Sequence, residues 1–309
     1  MARQRERVEF RYYEIPEDEA VLVLLGEDWI REYGKGIESL HFHNHMEIGY
    51  CHWGRGEVAL GQEYIPFSSG SLMIVPPRLP HTTNSRPGTK SFWEWMYLDL
   101  EQIVSEAVQG DSLVQRDILK RIHRTGYLLN GEEHPVLSSL IKGIMEEARL
   151  RKPYYRESIK GLLKSCAVEF LRLSDHEEQI MRTRAGAAAI ASAMDYVALH
   201  YREEIKVYSL AEACSMSESH FRRVFQEAMN MKPVDYINMI RVQNACELMK
   251  KTRKSMEEVA SETGFASVSA FNRNFRKILD TSPYQWKKSS ENYEEKLQHY
   301  RISAQKGWE

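Results

Sequence analysis

The chain has 309 residues, 42% of them hydrophobic and 28% charged, with a formal net charge of −2. That length predicts about two domains of roughly 100 to 200 residues, and the balance of apolar and charged residues excludes a disordered or fibrous chain. The N-terminus lacks the apolar core of a signal peptide, the most apolar stretch (AGAAAIASAM) is about half a membrane span, and the scattered cysteines Cys51, Cys166, Cys214 and Cys246 form no CxxC pair, so a cytoplasmic protein without membrane partner, disulfides or zinc knuckle is expected.

Residues 8 to about 100 alternate short apolar or aromatic runs (EIGYCHW, GEVALG, GSLMIVPP, FWEWMYLDL) with Gly, Pro, Ser and Asn clusters, which predicts an all-β module, a barrel or double-sheet sandwich. Within it, LHFHNHMEIGYCHWGRG sets His41, His43, His45 and Glu47 at alternate positions. On a strand these face one side, and His81 from GSLMIVPPRLPHTTN would join them in the interior. Imidazoles with a carboxylate suit iron, manganese, nickel or zinc. Three readings stay open: a catalytic metal site, a structural or sensory metal site, and a polar cluster that hydrogen-bonds a small ligand. The last is preferred, with no cofactor, because nothing else in the chain supports catalysis. Trp93, Trp95 and Tyr97 share one strand face, an arrangement that suits stacking on a sugar and is explained equally by core packing.

From about Leu100 to Arg184 the period becomes helical, as in Leu137, Leu140, Ile141, Ile144, Met145 and in Leu162, Leu163, Cys166, Ala167, Phe170, Leu171. Such stripes serve as internal core or as a dimer interface, and Leu137 to Met145 and Leu162 to Leu171 are the interface candidates. SDHEEQIMRTRAG, residues 174 to 186, reads as a polar linker, and every later segment reads as helix.

Residues 205 to 290 hold 14 Lys or Arg against 9 Asp or Glu, a net +5 that leaves −7 for the rest. The same region contains a repeat: LAEACSMSESHFRRVFQEAMNMKPVDYI from Leu210 and VASETGFASVSAFNRNFRKILDTSPYQW from Val259. Ala211 and Ala260 are offset by 49, whereas Ser217/Ser267, Phe221/Phe271, Arg223/Arg273, Phe225/Phe275 and Pro233/Pro283 are offset by 50, which places one inserted residue near Ala266. Each copy predicts a helix, a turn and an N-capping serine opening a second helix with buried phenylalanines four apart. These are two helix-turn-helix units. Ser219, His220, Arg222, Arg223 and Gln226 are left outward in the first, and Val268, Ser269, Asn272, Arg273 and Arg276 in the second. A helix of this kind fits the major groove, where Arg reads guanine, Asn or Gln reads adenine, and Val268 can meet a thymine methyl. A solvated face would explain one such helix; two matched units with an Arg at the same helical place favour DNA.

Residues 193 to 290 resemble the DNA-binding domain of the AraC/XylS family of bacterial transcription regulators, on LAEACSMSESHFRRVFQEAM, IRVQNACELMKKTRKSMEEVASETGFASVSAFNRNFRKI and SPYQW. Asn230 and Asp280 stand where the family usually has Gly, and both residue types tolerate positive φ. The resemblance extends to the N-terminal module as a cupin-like sensor: His41, His43, Glu47 and Gly54 meet the first cupin motif, with Gly36 one residue short of its place. Gly70, Pro76 and His81 meet the second, although Arg78 replaces a Gly and Asn84 comes one residue early. By resemblance Trp53 and Trp95 join the ligand candidates.

The expected architecture is α+β and multidomain: a cupin-like β-barrel at 1–105, a helical linker and dimerisation segment at 106–186, an all-α double helix-turn-helix domain at 187–290 and a tail at 291–309. The resemblance implies a non-enzymatic regulator. Its partners would be double-stranded DNA, a small-molecule effector of sugar or oligosaccharide type and a second copy of the chain, and activation would add RNA polymerase. Effector contacts are expected from His41, His43, Glu47, Trp53, His81, Trp93 and Trp95. The rival reading is a metal-dependent cupin enzyme or metal sensor fused to a DNA-binding domain.

Overall fold

The computed structural model describes residues 9–290 except 12, 17, 35–40, 61–62, 78, 108–111, 124–125, 181–184, 230 and 280. Gly36, Arg78, Asn230, Asp280 and the 291–309 tail lie outside the described residues. The chain divides into two compact units, Met1–Arg7 with Tyr12–Arg184, and Val8–Arg11 with Ala185–Glu309. Among the described residues no helix is long and apolar enough to cross a membrane.

After β1 (Glu9–Arg11), which groups with the second unit, the first unit runs β2 (Val21–Leu24), β3 (Ile30–Arg31), β4 (His41–His43), β5 (Met46–Trp53), β6 (Gly56–Leu60), β7 (Glu63–Phe67), β8 (Ser71–Val75), β9 (His81–Ser85) and β10 (Ser91–Leu98). The helices α1 (Leu100–Ala107), α2 (Ser112–Ile122), α3 (Pro135–Leu150) and α4 (Tyr155–Ile180) follow, with β11 (Tyr127–Asn130) between α2 and α3. One antiparallel sheet contains β4, β9, β6 and β7 side by side, and the other has the order β11, β8, β5, β10, β2. Contacts such as Thr83 to Met73 and Phe67 to Trp93 join the two sheets face to face.

The strand period sorts β5 and β10 between two environments. Glu47, Gly49 and Cys51 pair with Tyr97, Trp95 and Trp93 and face the opposing sheet. The intervening Met46, Ile48, Met96 and Leu98 belong to one apolar cluster with Leu137, Ile141, Ile144 and Met145 of α3 and Leu163, Cys166, Ala167 and Phe170 of α4. The stripes offered as dimer-interface candidates are therefore core in this unit. The helical segment packs on the sheet, although it read as a connection in the sequence.

Two local differences have physical causes. GYLLN fell inside a stretch read as helical, yet Tyr127–Asn130 pairs with Ile74–Ser71 as an edge strand; four residues are too few to display a strand period against flanking helices. The polar stretch 174–186 is helical to Ile180 and again from Ala185, because SDHEEQI contains no Gly or Pro to end α4.

The helix-facing side of β10 also carries one charge. Glu94 is buried and accepts from Arg149 of α3 at 2.8 and 2.7 Å, from the Gly26 amide at 2.8 Å, and pairs with His52 at 2.8 Å. Burial raises its carboxyl pKa, but the bonds from His52, Arg149 and Gly26 outweigh burial and hold it at about 2. Arg149 is itself 41% exposed and its loss leaves the buried Glu94 carboxylate with only His52 and the Gly26 amide. Arg149→Leu is therefore expected to lower stability by about 1 to 2 kcal/mol at neutral pH in urea denaturation. The folded pKa lies below the unfolded one, so this stabilisation is complete above about pH 5 and fades as pH falls toward about 2. The gap between wild type and variant should close over that window, and a gap independent of pH would exclude Glu94 as its source.

Candidate nucleic-acid interface and ligand site

The second unit contains α5 (Ala185–His200), α6 (Val207–Ala213), α7 (Glu218–Met229), α8 (Pro233–Lys251), α9 (Met256–Glu262), α10 (Val268–Leu279) and α11 (Pro283–Ser290). The repeat is visible bond by bond. After α6 the Met216 amide donates to the Ala211 carbonyl at 2.9 Å, and after α9 the Phe265 amide donates to Ala260 at 2.9 Å, an offset of 49 at both ends. Ser215 (φ 54°) and Gly264 (φ 83°) are the left-handed residues of the two turns. Ser217 Oγ then accepts from the His220 amide at 3.4 Å and Ser267 Oγ from the Ala270 amide at 3.1 Å, an offset of 50. The inserted residue is thus Ala266. Gly264 has a second constraint, since a Cβ there would lie 2.3 Å from the Tyr201 carbonyl oxygen.

Phe221 and Phe225 of α7 and Phe271 and Phe275 of α10 are fully buried. Phe225 meets Tyr236 of α8 edge-on at 5.5 Å, and Phe275 meets Trp286 of α11 at 6.0 Å. This fixes the opposite faces outward. Ser219, His220, Arg222, Arg223, Gln226, Ser269, Arg273 and Arg276 are exposed, and Val268 and Asn272 are half-buried. Arg222 is bound one turn back to Glu218, through Nε at 2.9 Å and Nη2 at 2.6 Å. The long helix α8 joins the units, and its Arg241 holds the loop after α5 by donating to the carbonyls of Tyr201 at 2.8 Å and Glu203 at 2.7 Å.

In the first unit the interior between the sheets holds a polar cluster, but not on the single strand expected: the chain bends at Asn44–His45, so His41 and His43 come from β4, Glu47 from β5 of the other sheet, and the His45 side chain is not part of the cluster. His41, His43, Glu47 and His81 are all buried, and one ligand atom from each lies within 4.8 Å of the others. His41 is opposite His81 in the β4–β9 pairing. His43 Nδ1 lies 2.8 Å from the His45 carbonyl and His81 Nδ1 2.9 Å from the Leu79 carbonyl. A carbonyl only accepts, so both Nδ1 atoms carry protons, which turns both Nε2 atoms inward. There His43 Nε2 and His81 Nε2 are 3.2 Å apart and lie 2.5 and 3.3 Å from Glu47 Oε2. Three acceptors converging this closely need a proton or a cation between them, and three imidazoles with one carboxylate fit a transition-metal ion. Burial pushes His43 below its ordinary pKa against the pull of Glu47. Burial would raise Glu47, but the neighbouring imidazoles prevail and hold it below the carboxylate range.

The aromatic candidates separate. Trp93 and Trp95 stack on each other at 5.0 Å and 11°, and Gly49 lets them in, because a Cβ there would come within 2.4 Å of the Trp95 ring. Trp93 Nε1 is buried without a hydrogen-bond partner. Trp53 is 44% exposed with its ring edge-on to Phe92 at 6.3 Å, so it does not join that stack. Residues missed in the sequence complete the site. Tyr13 stacks on Tyr97 at 3.7 Å and meets His43 edge-on at 5.8 Å. Tyr33 accepts from Trp95 Nε1 at 3.4 Å, with its hydroxyl pushed up to about 12 by burial. The Arg31 guanidinium lies over Trp29 at 4.5 Å and Tyr33 at 5.0 Å. The tyrosines of YYEIP and the spacing of Trp29, Arg31 and Tyr33 were the available signals, without the alternating pattern that marks longer strands.

Residues 31–163 match the model of the AraC-like ligand binding domain, and residues 210–289 match a helix-turn-helix domain model. An HTH-type transcriptional regulator of Haemophilus influenzae is 24% identical over 274 residues, covering 84% of this chain and 88% of its own length. The HTH-type regulator YfiF of Bacillus subtilis is 23% identical over 248 residues, with 79% and 77% covered. A crystal structure of ToxT from Vibrio cholerae with bound unsaturated fatty acid is 14% identical, covering 87% of this chain and 93% of that chain at a TM-score of 0.42.

The hydrogen bonds to His45 and Leu79 set an expected spectrum. Histidine-selective 15N NMR should find Nδ1 of His43 and His81 protonated near neutral pH, and rings protonated only at Nε2 would contradict the inward arrangement of lone pairs.

Proposed function

This chain belongs to the AraC/XylS family of DNA-binding transcription regulators, with an AraC-like ligand-binding domain ahead of its helix-turn-helix domain, and on that premise we propose that a small polar effector in the sandwich interior controls its binding to operator DNA. The reading is carried by the matched pair α7 and α10, which turn their phenylalanines inward and Arg223 and Arg273 outward at the same helical place. Two such helices suit successive major grooves of double-stranded DNA. The effector class is carbohydrate: His41, His43, Glu47 and His81 carry hydrogen-bonding groups, and Trp93 and Trp95 are flat apolar rings on the same inward side of the β5–β10 pair as Glu47. Such a molecule switches the protein only by binding the DNA-competent and incompetent arrangements with different affinity. The chain acts as a homodimer, since pairing two DNA-binding domains on adjacent half-sites raises affinity through effective concentration. RNA polymerase is the further partner if the response is activation.

A second reading has its own observation. The convergence of His43 Nε2, His81 Nε2 and Glu47 Oε2, with His41 beside them, fits a divalent transition-metal ion held by these four residues. An ion there would supply a Lewis-acidic point for a polar effector.

Each of Arg223→Ala and Arg273→Ala should weaken binding to a selected operator by about 1 to 3 kcal/mol in fluorescence anisotropy, and unchanged affinity in both would sink the base-reading assignment. A calorimetric screen of mono- and oligosaccharides should return a ligand whose binding falls on Trp95→Ala. Metal analysis separates the second reading: a stoichiometric ion lost on His43→Ala supports it, and a metal-free wild type removes it.

A further inference from the structure

We infer that Glu218 is a base-reading residue, and that with Arg222 it makes α7 a reader of G·C pairs, whereas Val268 and Asn272 make α10 a reader of A·T pairs. The inference rests on the DNA-binding role of these helices and goes beyond it to the composition of the operator. Glu218 and Val268 are the first residues of the two recognition helices, and Arg222 and Asn272 lie one turn further on, each pair offset by 50. The N-terminal residues of a recognition helix are the ones that reach base edges. The helices share Arg223 and Arg273 at the next position and differ in these leading pairs.

In α7 the two bonds from Arg222 both end on Glu218 Oε1. Oε2 is left to accept, and the outer edge of the guanidinium, with Nη1, is left to donate. A G·C pair presents O6 and N7 of guanine beside the N4 amine of cytosine on its major-groove edge, which is the complementary arrangement. An A·T pair instead presents N7 and N6 of adenine, which suit the Asn272 amide, and a thymine methyl, which suits Val268. The acid is informative because the helix approaches phosphates. A carboxylate at that end is repelled by them unless it finds a donor, and cytosine N4 is a donor within the groove. The corresponding helix α10, Val268–Leu279, contains no Asp or Glu at all. A Glu at a helix start also favours the helix dipole, and a Glu–Arg pair one turn apart stabilises a free helix slightly. Those roles affect stability and leave base preference untouched.

The test is selection from randomised double-stranded DNA by the full chain, repeated with the leading pairs exchanged. Wild type should enrich two boxes with centres about 10 base pairs apart, one specified by G·C and one by A·T. Glu218→Val with Arg222→Asn should convert the first box to A·T and leave the second unchanged. Val268→Glu with Asn272→Arg should convert the second box to G·C. On purified operators each exchange should move the preference between the two versions of its box by about tenfold or more. Arg222 is exposed and Glu218, Val268 and Asn272 are half-buried, so circular-dichroism melts verify folding, and either exchange alone decides if the other is unstable. Two boxes of unchanged composition in both exchanged variants would overturn the inference, as would a wild-type site without the G·C and A·T division. A wild type that enriches nothing would instead remove the DNA-binding role beneath it.

Discussion

A sheet covered on both sides must assign every residue to one of two interiors, and the strand pair β5–β10 is where this protein does so. Parity along these strands sends Glu47, Gly49 and Cys51 with Tyr97, Trp95 and Trp93 to one side, and Met46, Ile48, Met96 and Leu98 to the other. The apolar side is closed by α3 and α4, and the polar side holds the histidine cluster. A slip of one residue in this pairing would put Glu47 among isoleucines and Met46 among imidazoles, so the histidine cluster and the helical layer enforce the same register from opposite faces. Gly49 belongs to this constraint, because the stacked tryptophans occupy the space its side chain would fill.

The parts legible in the sequence are those whose signal is local or repeated. The double helix-turn-helix could be read to the level of its buried phenylalanines, because two copies of one pattern report the same spacing twice. His41, His43, Glu47 and His81 could be read from residue type and spacing, but the bend at Asn44–His45 puts His41 and His43 on β4 and Glu47 on β5 of the other sheet, so they meet across the sandwich and not on one strand face. The sheet-packing role of α3 and α4 could not, since an apolar helical stripe records that it is covered and says nothing of what covers it. Trp53 shares the parity of Glu47 but sits where the β5–β10 register shifts, between Phe92 and Trp93, and so leaves the face that simple alternation assigns it. Tyr13, Arg31 and Tyr33 come from short irregular segments, where no period exists to place them. The ion pair of Glu94 with Arg149 spans 55 residues and depends on the same layering that the stripe concealed.

The two DNA-facing units show how a repeat diverges without losing its frame. The phenylalanines, capping serines and turn hydrogen bonds are kept in both, since these decide how each helix sits on its support. The substitutions collect on the outward face, where fewer packing contacts constrain residue identity. The inserted Ala266 falls in the short connection between turn and cap, where one more residue shifts neither helix from its core contacts.

The left-handed turn position carries a difference in local stability between the units. Gly264 adopts its positive φ at no steric cost, whereas Ser215 holds a side chain in a conformation that costs an L-residue roughly 1 to 2 kcal/mol. Gly264 is also fitted closely against the Tyr201 carbonyl, so its turn is bound into the loop that Arg241 grips. The strain at Ser215, absent at Gly264, is one contribution that favours opening of the α6–α7 turn. Two turns with one hydrogen-bond pattern thus store different strain, and the unit that bears the Glu218–Arg222 pair holds the more.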